Sequence, residues 1–504
     1  MMARTPFGKS PTQRNRSIAS RCFRTASNGW GNRRAEVLGI AVLLLGGCTV
    51  GPKYVRPTAD VPADYKEAGN WKAAQPSDAI AKGKWWEVYG DTQLDALEEQ
   101  VSVSNESLKA AQAQFLEARA AIRTVRAAYF PTVSASPTAA GARQSQNKAV
   151  FGTTAPLTYA DYQLPPIDTS WEPDVWGRVR RTVEAARSEA QATAADLANT
   201  ELSLHAELAL DYFQLRGLDS QQQLLDSTVD SYERALQLTD SRYKGGVASG
   251  VDVAQAQTQL ETTRAQAADV AVDRTAFEHA IAVLIGKPPY QFSQQPLPLT
   301  TPPPSIPPGL PSELLERRPD IAAAERRVQE ANAQIGVARA AYFPIFALTG
   351  GGGFDSAKLS NLLDGPSGFW SLAGSAAETI FDGGLRRGVT EEARANYDKS
   401  VDTYRQTTLT AFQEVEDNLS ALTVLENEAK IQDAAVAAAE HSLELSNSRY
   451  KGGVANYLEV TTAQSAALGN ERAAVDVLTR RRAASVLLVK ALGGGWNVTQ
   501  IPPL

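Results

Sequence analysis

The segment SRYKGGVASGVDVAQAQ (Ser241–Gln257) is written almost a second time as SRYKGGVANYLEVTTAQ (Ser448–Gln464). The first eight letters are identical, 11 of the 17 aligned positions match, and the copies lie 207 residues apart. Each reads as the end of one helix, a glycine reversal and the start of the next. Gly245 and Gly246, and their counterparts Gly452 and Gly453, admit positive φ without a Cβ penalty. Arg242, Tyr243 and Lys244, repeated as Arg449, Tyr450 and Lys451, place cations in a last helical turn, where they complement the helix dipole.

Outward from these turns the pattern is helical. Upstream of the first, Leu197, Leu204, Leu208, Leu215, Leu218, Leu225, Val229, Tyr232 and Leu236 step by sevens, fours and threes. That is a coiled-coil seam. No proline falls between Pro173 and Gly245, and about 70 residues at 1.5 Å each make a helix of roughly 105 Å. A shorter helix follows, from about Val251 to Gly286. Residues 287–311 then hold ten prolines. Such a stretch forms neither helix nor central strand, and it reads as a linker.

The second half repeats the plan. AYFPTVSAS (Ala128–Ser136) returns as AYFPIFALT (Ala341–Thr349), and WGRVRRTVEAARSEA returns as GGLRRGVTEEARANY. A long helix is expected from Leu385 to Lys451 and a shorter one up to about Leu492. Each half is therefore short helix, strand pair, long helix, tight turn, short helix, which makes a tandem duplication. The expected division is 91–286 for the first repeat and 312–492 for the second. Strands fall at about 132–171 and 345–381, turns at about 241–252 and 448–459, and residues 493–504 form a tail. In the first repeat one helix is read from near Asp91 to Pro131.

Residues 1–47 read as a targeting segment. Eight Lys/Arg precede an 11-residue apolar run, VLGIAVLLLGG (Val37–Gly47), too short to span a bilayer. Leu45-Gly46-Gly47-Cys48 resembles a bacterial lipobox, which implies a covalent lipid on Cys48. Residues 48–90 then read as an extended tether. Cleavage removes Cys22, so no disulfide staples the mature part. The whole chain carries −6 and the leader +7, leaving −13 on the mature part. An acidic chain argues against nucleic acid as a partner.

The strands pose a problem of closure. Four strands per chain cannot close around a useful bore, and an open edge in lipid leaves backbone groups unpaired at several kcal/mol each. Their Thr, Ser, Gly and aromatic composition suits an outer-membrane sheet. Three chains would supply twelve strands and close both a barrel and a helical tube.

At this point the residues resemble a known family. CTVGPKYVRP (48–57), WWEVYGDTQLDALEEQ (85–100), both AYFP segments, EPDVWGRVRR (172–181), LLERRPDIAAAERRV (314–328) and the paired RYKGGV turns are similar to the outer-membrane efflux ducts typified by TolC. The match is to the lipoprotein NodT-type branch that serves RND pumps. The resemblance implies a homotrimer with a 12-stranded outer-membrane β-barrel continued by a periplasmic α-helical barrel of roughly 100 Å. It implies a periplasmic adaptor and an inner-membrane RND pump as partners, and the outer membrane as location. It makes the two turns the periplasmic tips, contacted by the adaptor. It assigns the gate to Leu458, Glu459 and Thr462, with Asp252 at the corresponding place in the first repeat. Three copies of Glu459 would form an acidic ring. Some relatives carry a carboxylate where this chain has Thr462. Asp252 and Glu459 are equally well placed as first-turn acids at helix N-termini.

Other residues are read as structural. Arg317 and Arg318 precede a helix restart at Pro319 and suit ion pairing where half-helices meet. Trp171, Phe369 and Trp370 suit a membrane-interface girdle, and Trp85 and Trp86 suit packing at the waist. His205, His279 and His441 stand apart in the sequence without ligand spacing, and no phosphate loop or nucleophile motif is present. No catalysis and no cofactor beyond the lipid is expected. Two rival readings share some of these features: a type I-like secretion duct, and a periplasmic lipoprotein adaptor.

Overall fold

The computed structural model describes residues 49–68, 83–143, 145, 158–307 and 311–504. The signal segment and Cys48 lie outside them.

Two helices of 67 residues carry the fold. Helix α3 spans Arg178–Lys244 and helix α6 spans Leu385–Lys451. Their return helices, α4 (Gly250–Leu284) and α7 (Tyr457–Ala491), are 35 residues each. All four starts and ends keep the 207-residue offset, so the duplication holds without insertion across the long helix, tip and return helix. The starts of α3 and α6 are capped alike. Asp174 accepts from Val179 N and Arg180 N at 2.9 and 2.8 Å, and Asp382 accepts from Gly384 N and Arg386 N at 3.0 and 3.2 Å.

Above the waist, α3 is flanked by α2 (Glu106–Arg126) and by α5 (Pro319–Ala340). Helix α1 (Thr92–Ser104) and α2 were expected as one helix. They are two, because Asn105 breaks the run. Its side chain caps α2 at Leu108 N, 2.9 Å, and donates to the Leu284 carbonyl at 2.8 Å. Small residues let α3 and α5 approach closely: Ala195 packs with Ala322 and Ala323, and Gly336 leaves room for the Arg181 side chain. The main core lies at the waist, where Trp85, Trp86, Leu94, Tyr212, Phe213, Ile281 and Ile285 cluster.

The strands form one antiparallel sheet. β1 (Thr132–Ala135) and β2 (Thr138–Arg143) both pair with β3 (Thr158–Trp171), β3 pairs with β4 (Ile345–Ser356), and β4 with β5 (Gly368–Ala377). The sheet is thus four strands wide. Its first strand is cut at Ser136-Pro137 because proline has no N–H for the ladder. A register shift in β3 between Leu164 and Ile167 falls at Pro165-Pro166 for the same reason.

The N-terminal strap follows the helices downward. Val50 N bonds the Trp176 carbonyl at 3.1 Å, and Arg181 donates to the carbonyls of Val50 and Pro52. A Cβ on Gly51 would meet Gly336 Cα at 2.6 Å, so strap and α5 cross glycine on glycine. Tyr54 donates to Glu325, and the N–H groups of Lys66 and Glu67 bond the Glu416 carboxylate at 2.7 and 2.8 Å. The strap therefore ties residues of the second repeat to the start of α3.

Candidate functional site: tips, sheet and waist

Both tips adopt the same capped reversal. Val247 N bonds Arg242 O and Gly246 N bonds Tyr243 O, each at 2.9 Å. Val454 N bonds Arg449 O and Gly453 N bonds Tyr450 O, each at 3.0 Å. This is the Schellman pattern, and only the second glycine of each pair takes positive φ: +74° at Gly246 and +76° at Gly453.

The two tips meet, and they are not equivalent. Arg242 reaches across to the Lys451 carbonyl at 3.2 Å, with its guanidinium 4.7 Å from the Tyr450 ring centre. Tyr450 packs edge-on against Tyr457, in a cluster with Ala256 and Val460. Its counterpart Tyr243 is 51% exposed, whereas Tyr450 is 6% exposed. Within the chain Tyr450 is a packing residue that the first tip covers, which leaves Tyr243 as the tyrosine exposed for contact. Lys244 pairs with Asp240 at 2.7 Å on its own helix.

The expected gate residues sit just past each tip. Asp252 is engaged in a capping box, accepting from Ser249 N at 2.9 Å while Ser249 accepts from Asp252 N at 3.2 Å. In the second repeat Asn456 takes the cap, accepting from Glu459 N at 3.2 Å. That leaves the Glu459 carboxylate outside the cap, 3.7 Å from the Arg449 guanidinium. Leu458 and Thr462 are exposed and share its turn, the Thr462 hydroxyl donating to the Leu458 carbonyl at 2.8 Å.

The sheet has two chemically distinct faces. Its register puts Val133, Leu164, Ile167, Leu348, Phe354, Trp370 and Leu372 on one side. The other side carries Thr132, Ser134, Gln163, Asp168, Ser170, Thr349, Asp355, Ser371 and Ser375. Trp370 and Leu372 on the apolar side are 82% and 79% exposed. Apolar on one face and polar on the other is the alternation of a membrane barrel strand. Trp171 and Trp370 lie on the apolar face. Phe369, expected beside them, turns to the polar one, because neighbours in a strand point oppositely.

At the waist His205 does not stand alone. Its Nδ1 lies 2.6 Å from Glu98 Oε2 and its Nε2 lies 3.2 Å from Ser102 Oγ, and Trp86 stacks on the ring at 4.4 Å. Both Glu98 and His205 are buried. The order serine–imidazole–carboxyl is that of a nucleophile and its base. However, the backbone N–H groups around Ser102 are spent on the turns of α1, so they offer no oxyanion donors. The trio is a polar joint fixing α1 on α3. Residues more than 100 apart build it, and no local pattern announces it. Arg318, by contrast, pairs as its motif suggested, with Asp320 and Glu414 at 2.6 Å each.

Burial raises the Glu98 carboxyl well above its ordinary 4.5 and lowers His205 from 6.5 to about 4. The pair is thus net neutral, with one proton held between its members. Between pH 4.5 and 6.5 the unfolded chain holds as many protons there as the pair does, so the joint adds no slope to stability. Above 6.5 the unfolded imidazole releases its proton, and for as long as burial holds the Glu98 proton in the fold stability falls by up to about 1.4 kcal/mol per pH unit. Glu98→Gln should remove that decline. It should instead introduce a loss as pH drops from 6.5 towards 4, because the unfolded histidine then takes up a proton that the folded one refuses. Melting profiles of both proteins across pH read this directly; parallel curves would exclude the shared proton.

Long paired helices, capped tips and a two-faced sheet define an outer-membrane channel of the TolC-like fold. The chain belongs to the outer membrane efflux protein family, which matches residues 97–287 and 310–494. It is 35% identical to the outer membrane protein OprJ of Pseudomonas aeruginosa, over 92% of this chain and 97% of that one. It is 31% identical to the probable efflux pump outer membrane protein TtgC of Pseudomonas putida, over 91% and 95%. Among solved structures, the outer-membrane channel OprN superposes with a TM-score of 0.82 at 30% identity, covering 89% of this chain and all of that one. The open-state MtrE channel of Neisseria gonorrhoeae gives 0.77 at 28% identity, over 89% and 98%. The protein is an efflux protein of the outer membrane.

Proposed function

We propose that three copies of the chain form the exit duct of a tripartite RND-type efflux pump. The sheet would close as a 12-stranded barrel, continued by a helical tube whose tips receive a periplasmic adaptor and, through it, an inner-membrane pump. Cargo would pass without any chemical step on this chain. The energy would come from the pump, and the only covalent group would be the lipid on Cys48.

The observation that carries the reading is the pair of free sheet edges. Among the described residues β1 and β2 bond only to β3, and β5 only to β4, while one face is apolar and exposed. A sheet of that kind cannot rest in lipid until its edges pair. Second copies of the same chain supply complementary edges. The strap supports the lipid anchor, since Thr49 touches Gly177 at the head of α3, beside the sheet. Relatives named for toluene, solvent and antibiotic efflux favour small-molecule cargo over secreted protein.

The test is the mass of detergent-purified mature protein by light scattering. A trimer is expected. A monomer or dimer would sink the duct. A Cys48→Ala chain should lose radiolabelled palmitate while keeping its fold.

A further inference from the structure

The upper helices carry arginines that the duct reading does not use. Arg119, Arg123 and Arg126 on α2, and Arg187 on α3, are exposed and make no ion pair among the described residues. Their neighbours are neutralised: Arg178 by Glu172, Arg180 by Asp174 and Arg181 by Glu184, at 2.8 to 3.2 Å. At 100° per residue, Arg126, Arg119 and Arg123 lie about 40°, 60° and 100° round the helix from Ile122, which is buried on the packed face. They flank the α2–α3 seam, where Tyr129 stands within electrostatic reach of Arg187, Arg180 and Arg126. A cavity of about 450 Å³ opens there, lined by Tyr129, Arg180, Glu184, Arg187, Ser188 and Gln191 among others, including the final Leu504.

The height of this shelf is fixed by aromatic residues. Trp171, the last residue of β3 on the apolar face, donates from Nε1 to the Tyr129 carbonyl at 3.1 Å. Trp176 donates to the Pro344 carbonyl at 2.8 Å and stacks on Phe343 at 4.8 Å. Tryptophans at such a boundary mark the headgroup level of a bilayer. Arg126 and Arg123 lie about 5 and 9 Å below Tyr129 along α2, within or at the edge of a headgroup layer of about 5–8 Å. Arg119 lies about 15 Å below, beyond it; the Arg187 backbone lies about 14 Å below the head of α3, but its charge stays within reach of Tyr129.

We propose that Arg123, Arg126 and Arg187 form a binding shelf for the phosphate of anionic lipid headgroups in the periplasmic leaflet of the outer membrane. The proposal rests on the reading that the sheet lies in that membrane. Guanidinium groups match phosphate oxygens in pairs, and each exposed cation beside a membrane boundary adds to the attraction for an anionic surface. The shelf fixes how deep the duct sits, and it draws acidic lipid to the foot of the barrel.

The experiment is native mass spectrometry of the full mature chain in detergent, titrated with phosphatidylglycerol and separately with phosphatidylcholine. Phosphatidylglycerol should bind tighter by on the order of tenfold. Arg123→Gln/Arg126→Gln/Arg187→Gln should abolish the preference. Arg119→Gln/Arg234→Gln/Arg480→Gln, with the same charge change lower on the helices, should keep it. Equal affinity for the two lipids, or a preference that survives the first triple variant, overturns the shelf. So does displacement of phosphatidylglycerol by an equal concentration of inorganic phosphate, which would make the ligand a free ion. Circular dichroism of both variants checks that the helices are intact. Insertion into vesicles separates the two levels: a chain that fails to insert overturns the membrane reading, and one that inserts without lipid preference overturns only the shelf.

Discussion

Arg216→Ala should lower stability by about 3–5 kcal/mol, the cost of removing one partner from a buried charge cluster. Arg216 is 2% exposed. Its Nη1 donates to Asp219 Oδ2 at 2.9 Å and to the Gln295 carbonyl at 2.7 Å, its Nη2 to Gln93 Oε1 at 2.5 Å, and it lies over the Tyr212 ring. Asp219 is equally buried and also accepts from Arg274 Nε at 2.7 Å and Leu297 N at 2.9 Å. The cluster exists because the linker between the repeats is rich in proline. It has few N–H groups and no strand to join, yet its polar backbone lies against the core. Side chains of the helices satisfy it instead. Gln294 O accepts from Arg274, Leu299 N donates to Ser220, and the Thr301 carbonyl accepts from Arg482. Arg216→Lys keeps the charge and loses the planar fork, so it should fall between wild type and alanine. Denaturant melts of the helical signal decide it. A midpoint shift without change of slope is the expected form, and a loss below about 1 kcal/mol would show that the cluster is not buried in solution.

What the sequence made legible here was periodic or repeated. The heptad seam and the doubled turn marked α3 and α6, whose bounds fall where the glycines and the Asp174 and Asp382 caps place them. What stayed hidden depends on neighbours brought in from afar. Tyr243 and Tyr450 sit in identical octapeptides, yet one is exposed and the other covered, because Arg242 of the first tip crosses to the second. No local rule distinguishes them. The Glu98–His205 joint is invisible for the same reason. The break at Asn105 did leave a trace: Ser104-Asn105-Glu106 is an N-cap signature inside a helical run.

Glu459→Ala should open the duct. The gate reading gives Asp252 and Glu459 parallel places, but their chemistry differs. Asp252 accepts from Ser249 N, so Asp252→Ala loses one arm of the capping box while the Ser249 cap on Asp252 N stays, about 0.5–1.5 kcal/mol of local helix stability, with little effect on passage. The Glu459 carboxylate has no such duty, because Asn456 supplies the cap. It faces Arg449 at 3.7 Å with both side chains roughly half exposed. An exposed pair is worth at most about 1 kcal/mol. In the proposed trimer three copies would act on one opening, so a contact made in the closed state alone would, when lost, shift the closed-to-open balance by up to about 3 kcal/mol, on the order of a hundredfold. The removed acidic ring should also weaken cation preference. In planar bilayers, Glu459→Ala and Arg449→Ala should each raise the open fraction. The double variant should add little to either, since both single changes break the same contact. Raised salt should open the wild-type channel by screening the same pairs and leave the variants unmoved. Equal open fractions in wild type and Glu459→Ala, at low salt, would remove Glu459 from the gate. In the proposed trimer the barrier would then rest on Leu458, whose exposed side chain would narrow the passage by bulk alone.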